Sequence, residues 1–204
     1  MSKYLTGTDP NNLGKDSGFT EITPFDSNIG KMVKGYATKF QSGDVQLNIV
    51  NKIVESIPQN VGKTATLKYP AAPPTDKWDN GARTPLTPAE AEKAKKEWAA
   101  GLRRIMHVYG LTEPTDEQLE NDIAATGWLN QGEGAEVVFN AYNKDGYGVV
   151  SAIVTSFVKN DREYVAHVAV SKVSDPARDS KGIIPGLTRG EQAREKIAKV
   201  KAKA

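Results

Sequence analysis

The sequence has no cysteine, two histidines and no long apolar run. Without cysteine, disulfides and thiolate metal sites are excluded. No apolar stretch approaches the ~20 residues that a membrane-spanning helix requires. The start of the chain, Met1-Ser2-Lys3-Tyr4, lacks the charged and apolar segments of a secretory signal. We therefore expect a cytoplasmic protein with no membrane partner.

The sequence also has little excess of charge of either sign, because its 27 basic and 25 acidic residues leave a net charge of +2. That balance excludes a polybasic coat for nucleic acid. Residues 181–204, however, contain seven basic and two acidic residues, a net charge of +5. The sequence therefore combines a mildly acidic body with a basic tail.

No pattern of catalytic residues is visible. His107 and His167 have no cysteine or carboxylate at metal-ligand spacing, which favours packing or solvent exposure over metal binding or general-base catalysis. The segment Gly62-Lys63-Thr64 lacks the first glycine of a phosphate-binding loop, and a strand pattern rather than a helix follows it. We therefore predict no catalytic residues, no metal and no cofactor.

The longest clear pattern in the chain is an amphipathic helix that begins after Thr87. Thr87 and Glu90 have the spacing of a capping box, Pro88 suits the first helical position, and Gly110 suits a left-handed C-cap. Apolar side chains recur at spacings of three and four on one face: Ala91, Ala94, Trp98, Leu102, Ile105, Met106 and Tyr109. A second helix is predicted from Thr115 to Gly127.

Strand patterns occupy both sides of these helices. Before them we predict three strands, over about 30–40, 45–49 and 63–69, and after them two or three more, over 136–142, 147–159 and 163–173. Three strands, a helical insert and further strands are the order of an OB-fold-like five-stranded barrel, with a capping helix between the third and fourth strands. We therefore predict a mainly β protein of this type.

The predicted division of the chain has three parts. Residues 1–28 form an irregular lead-in, residues 29–173 form the barrel domain with its helical insert at 87–127, and residues 174–204 form the basic tail. Thr188 and Glu191 cap a short helix in that tail. We expect this helix to have little to bury.

Three segments carry a resemblance to a known family. They are the glycine-bearing strand Val33-Lys34-Gly35-Tyr36-Ala37, the end of the long helix from Trp98 to Leu111, and Gly134-Ala135-Glu136-Val137-Val138 before a hairpin. Together they resemble the short phage single-stranded-DNA-binding proteins of the OB-fold type, many of which are known only as a domain of unknown function. The resemblance covers roughly residues 29–158.

The resemblance implies single-stranded DNA binding in phage DNA replication or recombination, in the cytoplasm of the host cell. It also implies phage replication proteins as candidate partners. The basic end of this chain differs from the acidic tail that is common in such proteins.

The residues themselves favour the same chemistry, because aromatic and basic side chains are mixed on the predicted strands. Rings provide stacking platforms for bases, and lysines neutralise phosphates. The candidate nucleic-acid-binding residues are Lys34, Tyr36, Lys39, Phe40, Lys52, Lys68, Tyr69, Trp78, Lys144 and Tyr147. We place Val33 and Ala37 on the core face of the first strand, with Tyr36 and Phe40 on the opposite face.

Several alternatives stay open from the sequence. A buried role for Tyr36 and Phe40 would make them core residues. A phage structural or assembly protein could use the barrel as a protein–protein module, and a small enzyme could have a site that one sequence does not reveal. Neither a homodimer nor a preference for RNA is excluded.

Overall fold

The computed structural model describes residues 22–23, 25–141, 157–159, 162–164, 170–179 and 181–203. The strands are β1 Phe25–Lys39, β2 Val45–Glu55, β3 Thr64–Pro70, β4 Asp76–Asp79, β5 Ala82–Pro85, β6 Glu136–Ala141, β7 Phe157–Lys159, β8 Arg162–Tyr164, β9 Ser171–Lys172, β10 Pro176–Asp179 and β11 Gly182–Thr188. The helices are α1 Pro88–Tyr109, α2 Asp116–Glu120, α3 Asp122–Leu129 and α4 Arg189–Lys201, with a 3₁₀ turn at Asn130–Gly132.

A five-stranded antiparallel sheet with the order β3-β2-β1-β6-β9 is the centre of the fold. The prediction of a mainly β protein with inserted helices is confirmed; the helices follow the β4–β5 hairpin and lie in the chain between β3 and β6 of the sheet. Within the described residues β3 and β9 are the edges of this sheet and do not pair with each other. The predicted closed barrel is therefore not confirmed.

Helix α1 lies over the inner face of the sheet, and both of its predicted caps are confirmed. Thr87 and Glu90 form the capping box, and Gly110 ends the helix in the left-handed conformation. The face predicted from the spacing is buried at Leu102, Ile105 and Tyr109, together with Val108, while Trp98 and Met106 pack partly against the core. The spacing of apolar residues in the sequence therefore predicted correctly which side of α1 is buried against the core.

The segment after α1 differs from the single helix that we predicted. Asn121 ends α2 and its side chain caps α3, so the helix restarts in a new direction and runs past Gly127 to Leu129. The apolar residue at Ile123 is therefore 80% exposed. Trp128 is buried instead, and its Nε1–H donates to the carbonyl oxygen of Thr112 at 2.9 Å.

A β-bulge at Val33 corrects the predicted faces of β1. Met32 pairs with Asn51 and Lys34 pairs with Val50, so Val33 is an extra residue with no partner of its own. Met32 is buried in the core, whereas Val33 is 41% exposed. The expectation that Val33 belongs to the core is wrong, because we counted a strict alternation through a position where the strand does not alternate.

Helix α4 packs on the outer face of the sheet, opposite α1. Ala193 is buried against Ile29 and Val138, and Ile197 is only 5% exposed. The expectation that this helix has little to bury is therefore wrong. Gly190, Ala193 and Ile197 recur at spacings of three and four, so a narrow stripe with one large side chain is enough to bury one side of this helix.

Candidate nucleic-acid interface

The part of the outer face formed by β1, β2 and β3 carries the candidate site. Residues that pair across the three strands form three rows: Tyr36–Asn48–Lys68, Lys34–Val50–Thr66 and Lys31–Lys52–Thr64. Neighbouring strands are ~4.8 Å apart, so the residues of one row are direct neighbours. We call this surface, defined by the nine residues of the three rows, the basic face.

The basic face is positively charged, and Glu136 of β6, which pairs with Lys31, borders it. Lys31, Lys34, Lys52 and Lys68 are all exposed, and none of the nine residues is acidic. Lys31 and Lys52 are paired directly across the strands. Like charges in that position destabilise a sheet, whereas the pairing of Lys31 with Glu136 on β6 offsets part of that cost.

The ring of Tyr36 is the flat surface of the basic face. The ammonium group of Lys34 lies 5.4 Å from the centre of the Tyr36 ring, within the range of a cation–π interaction. Beside them, Asn48 is buried and its Nδ2 donates to Thr38 Oγ1 and to the carbonyl oxygen of Gln46. These hydrogen bonds fix the side chain of Asn48 beneath the exposed residues of the face. The ring of Tyr36 remains half-buried and accessible.

The structure places four of the predicted residues on the basic face, namely Lys34, Tyr36, Lys52 and Lys68, and it separates others from it. Lys39 pairs with Val45, on the side of Ala37, and its Nζ lies 3.5 Å from the carbonyl oxygen of Glu120. Phe40 lies beyond the end of β1 at the hairpin and is 47% exposed. Both residues are at the hairpin end of the sheet rather than among the three rows.

Tyr69 is not a stacking residue, and that prediction is wrong. Its ring is 5% exposed and lies in the core, where the hydroxyl donates to the carbonyl oxygen of Trp98 at 2.6 Å. Burial raises the pKa of Tyr69 to about 12. The misassignment arose because Lys68 and Tyr69 are adjacent in sequence, whereas adjacent residues of a strand face opposite sides.

Three other predicted residues are not placed by the structure. Trp78 lies on β4, in the β4–β5 hairpin, but its side chain is outside the described part of the chain. Lys144 and Tyr147 also lie outside the described residues. Their role in binding stays a prediction.

Sequence reasoning missed Lys31 as a site residue. No signal in the sequence could have found it, because Lys31 lies three residues before Lys34 and only the bulge at Val33 puts the two on the same face of the strand. Without the pairing of β1 with β2, that bulge is not visible. The missed lysine extends the basic face toward β6.

Outside this face, His107 has a carboxylate partner that is distant in sequence. Its Nε2 lies 2.7 Å from Asp175 Oδ1, and Asp175 also lies 3.9 Å from the guanidinium of Arg104. Among the described residues no group of three histidines or carboxylates is placed to hold a metal ion. No helix in the described part of the chain is both long and apolar enough to cross a membrane.

Comparison of the chain with protein-family models, with curated proteins and with solved structures finds no match.

Proposed function

We propose that this protein binds single-stranded DNA without sequence preference, in phage DNA replication or recombination. Bases stack on Tyr36 while the lysines around it neutralise phosphates, and no bond is made or broken. The β1–β2–β3 meander and the pairing of β1 with β6 are compatible with the strand order of an OB-fold-like protein.

The observation that carries the proposal is the composition of the basic face. Four exposed lysines and one accessible ring share the same face of three adjacent strands, with Lys34 next to the ring, and two of those lysines oppose each other directly. Stacking on the ring is sequence-tolerant because every base has a π-face, and lysines follow the backbone rather than the base edges. A polyanion with unpaired bases therefore fits this surface better than a duplex or a peptide does.

The test is the binding of a labelled oligonucleotide, measured by fluorescence anisotropy over a range of salt concentrations. We expect single strands to bind more tightly than the duplex of the same sequence, and binding to weaken as salt rises. Each phosphate contact on a single strand contributes about −0.7 to the slope of log K against log salt. The triple variant Lys34→Gln, Lys52→Gln, Lys68→Gln should therefore reduce the steepness of that slope by about 2.

The matched control is the triple variant Lys93→Gln, Lys95→Gln, Lys96→Gln, which removes the same charge from the exposed side of α1. We expect it to bind with nearly the wild-type slope. Equal loss in both triple variants would show that binding follows net charge and not the basic face. Equal affinity for duplex and single strand would remove the stacking role of Tyr36.

A further inference from the structure

A second cluster of basic side chains lies beside a cavity between α4 and the sheet, at a different place from the basic face. The cavity has a volume of about 160 Å³, and its apolar lining is limited to Val138 and Ala193. Three cationic residues also line it: Arg178, Arg189 and Lys196. The carboxylate of Asp26 lines it as well, so its wall is mainly polar, with three cationic side chains and one anionic side chain.

The positive charge of the cavity is only partly compensated. Lys196 forms an ion pair with Asp26 at 2.7 Å. Arg178 and Arg189 have no carboxylate within ion-pair distance in the described part of the chain, and the guanidinium of Arg189 donates one weak hydrogen bond there, to the carbonyl oxygen of Arg178 at 3.5 Å. Two guanidinium groups thus remain available, with a combined charge of +2.

Asp175, whose charge raises the pKa of Arg189, does not form an ion pair with either arginine. Asp175 Oδ1 is held by His107 Nε2 at 2.7 Å, and Oδ2 accepts from the backbone N–H of Lys172 at 3.1 Å. Burial lowers the pKa of Arg189, and the charges of Arg104 and Arg178 lower it further. A bound anion would relieve both effects, because it would supply the missing negative charge next to a partly desolvated guanidinium.

Neutral donors complete the wall. The side-chain amides of Asn140 and Gln192 line the cavity and make no hydrogen bond within the described residues. The hydroxyl of Ser171 accepts from Arg104 at 2.9 Å, which leaves its own hydrogen free to donate toward the cavity that it lines. Forked guanidinium groups with neutral donors around them match the geometry of a tetrahedral oxyanion.

We propose that this cavity binds a phosphate group in its dianionic, phosphomonoester form. The charge of such a group equals that of the two uncompensated arginines. The volume is below the ~300–1,000 Å³ typical of sites for larger organic ligands, so the cavity takes the phosphate and leaves the attached group outside. The phosphate could belong to the 5′ end of a nucleic-acid strand or to a free small molecule.

The first experiment is a titration of the full chain with inorganic phosphate in a chloride buffer, measured by isothermal titration calorimetry. We expect saturable binding that Arg178→Gln weakens by about tenfold or more, since one charge-assisted hydrogen bond contributes ~1.5–3 kcal/mol. Arg103→Gln, which removes an exposed arginine of α1, is the matched control and should bind as the wild type does.

A second variant separates binding from folding. Arg189 is half-buried at the start of α4, so Arg189→Gln could lower stability, whereas the exposed Arg178 can be replaced without that complication. Arg189→Lys keeps the charge but loses the fork, and we expect it to weaken phosphate binding with an unchanged melting temperature. Binding of equal strength in wild type, Arg178→Gln and Arg103→Gln would overturn the proposal, as would the absence of saturable binding.

The source of the phosphate is identified by comparing oligonucleotides with a 5′-phosphate and a 5′-hydroxyl. Tighter binding of the phosphorylated strand, lost in Arg178→Gln, assigns the site to strand ends. Equal binding of the two strands together with saturable inorganic phosphate assigns it to a small phosphorylated molecule. Because the titration with inorganic phosphate contains no DNA, its result does not depend on the function proposed for the basic face.

Discussion

Tyr36 and Tyr69 lie on strands of one sheet, but their rings are on opposite sides of it. The ring of Tyr36 is half-buried on the outer face beside Lys34, and the ring of Tyr69 is buried in the core against α1. The same substitution at the two positions should therefore change different properties of the protein.

For Tyr36→Ala we expect a loss of affinity for single-stranded DNA of roughly 5- to 100-fold, because base stacking on a ring contributes ~1–3 kcal/mol. For Tyr69→Ala we expect a loss of ~3–5 kcal/mol in the free energy of unfolding, as for other buried aromatic residues. Oligonucleotide affinity and urea unfolding, measured for both variants, check the assignment. A larger loss of stability in Tyr36→Ala than in Tyr69→Ala would contradict it.

Gly35 shows how closely α3 approaches β1. A Cβ at this position would overlap the side chain of Leu129 and lie 3.1 Å from its backbone carbonyl carbon. The backbone N–H of Gly35 also donates to Asn130 Oδ1 at 3.1 Å, so the strand cannot move away without losing this bond. A glycine is required at this position because Leu129 leaves no room for a Cβ, and not because of its backbone angles.

We expect Gly35→Ala to destabilise the protein by ~1–3 kcal/mol, the range for overpacked cores. The matched variant Gly127→Ala should be stabilising by roughly 0.5–1 kcal/mol, because that residue lies within α3 and a Cβ there would meet no atom within 4 Å. Chemical denaturation of both variants gives the comparison. Similar stability changes at the two glycines would mean that α3 can move away from β1.

At the scale of elements, the turn between β9 and β10 is tied to α1 through Asp175. Burial alone would raise the pKa of this carboxyl group, but the hydrogen bonds from His107 and the Lys172 amide, together with the charges of His107 and Arg104, lower it. A carboxyl group with a lower pKa in the folded state stabilises that state above its unfolded pKa, near 4. The stabilisation is lost as the pH falls through the folded-state pKa.

Asp175→Asn should therefore lower the melting temperature at pH 7, and the difference from the wild type should shrink once the pH falls below about 4. Asp79→Asn, in the exposed β4–β5 hairpin, is the control and should follow the wild type at each pH. Thermal melts at several pH values make the comparison. A difference for Asp175→Asn that stays constant down to the lowest pH would show that its carboxylate charge does not contribute.

Whether an interaction could be predicted from the sequence depends on how many residues separate its two partners along the chain. The capping boxes at Thr87 and Thr188 were predicted correctly because donor and acceptor are three residues apart. The pairing of Lys31 with Lys52 was not predictable, because it depends on the bulge and on a partner strand. The same holds for the contact of Asp175 with His107, which joins residues 68 positions apart.

At the scale of the whole molecule, the sheet is covered on both sides. Helices α1 and α3 cover its inner face, and α4 covers the part of the outer face at Ile29 and Val138. Arg194 makes three hydrogen bonds to the carboxylate of Glu55, at 2.8–3.1 Å, but both side chains are partly exposed. Exposed ion pairs contribute ~0–1 kcal/mol, so apolar burial decides how firmly α4 is held.

Ile197→Ala should consequently cost ~2–5 kcal/mol of unfolding free energy, the range for a buried isoleucine. Val200→Ala on the same helix is the control, since Val200 is 39% exposed and such surface changes stay within ~0.5 kcal/mol. Urea unfolding of the full chain measures both. If Ile197→Ala were as stable as Val200→Ala, α4 would be a dispensable tail after all.

The extra residue at Val33 also bears on how the length of this chain can vary. Because Met32 and Lys34 already pair with the consecutive residues Asn51 and Val50, a chain lacking Val33 would have a regular strand with both faces unchanged. A deletion at Gly35 or Ala37 would instead exchange inward and outward residues along the adjoining stretch. Chains that descend from a common ancestor with this one can therefore differ by one residue at position 33, and an alignment without that gap would match core residues of one chain to surface residues of the other.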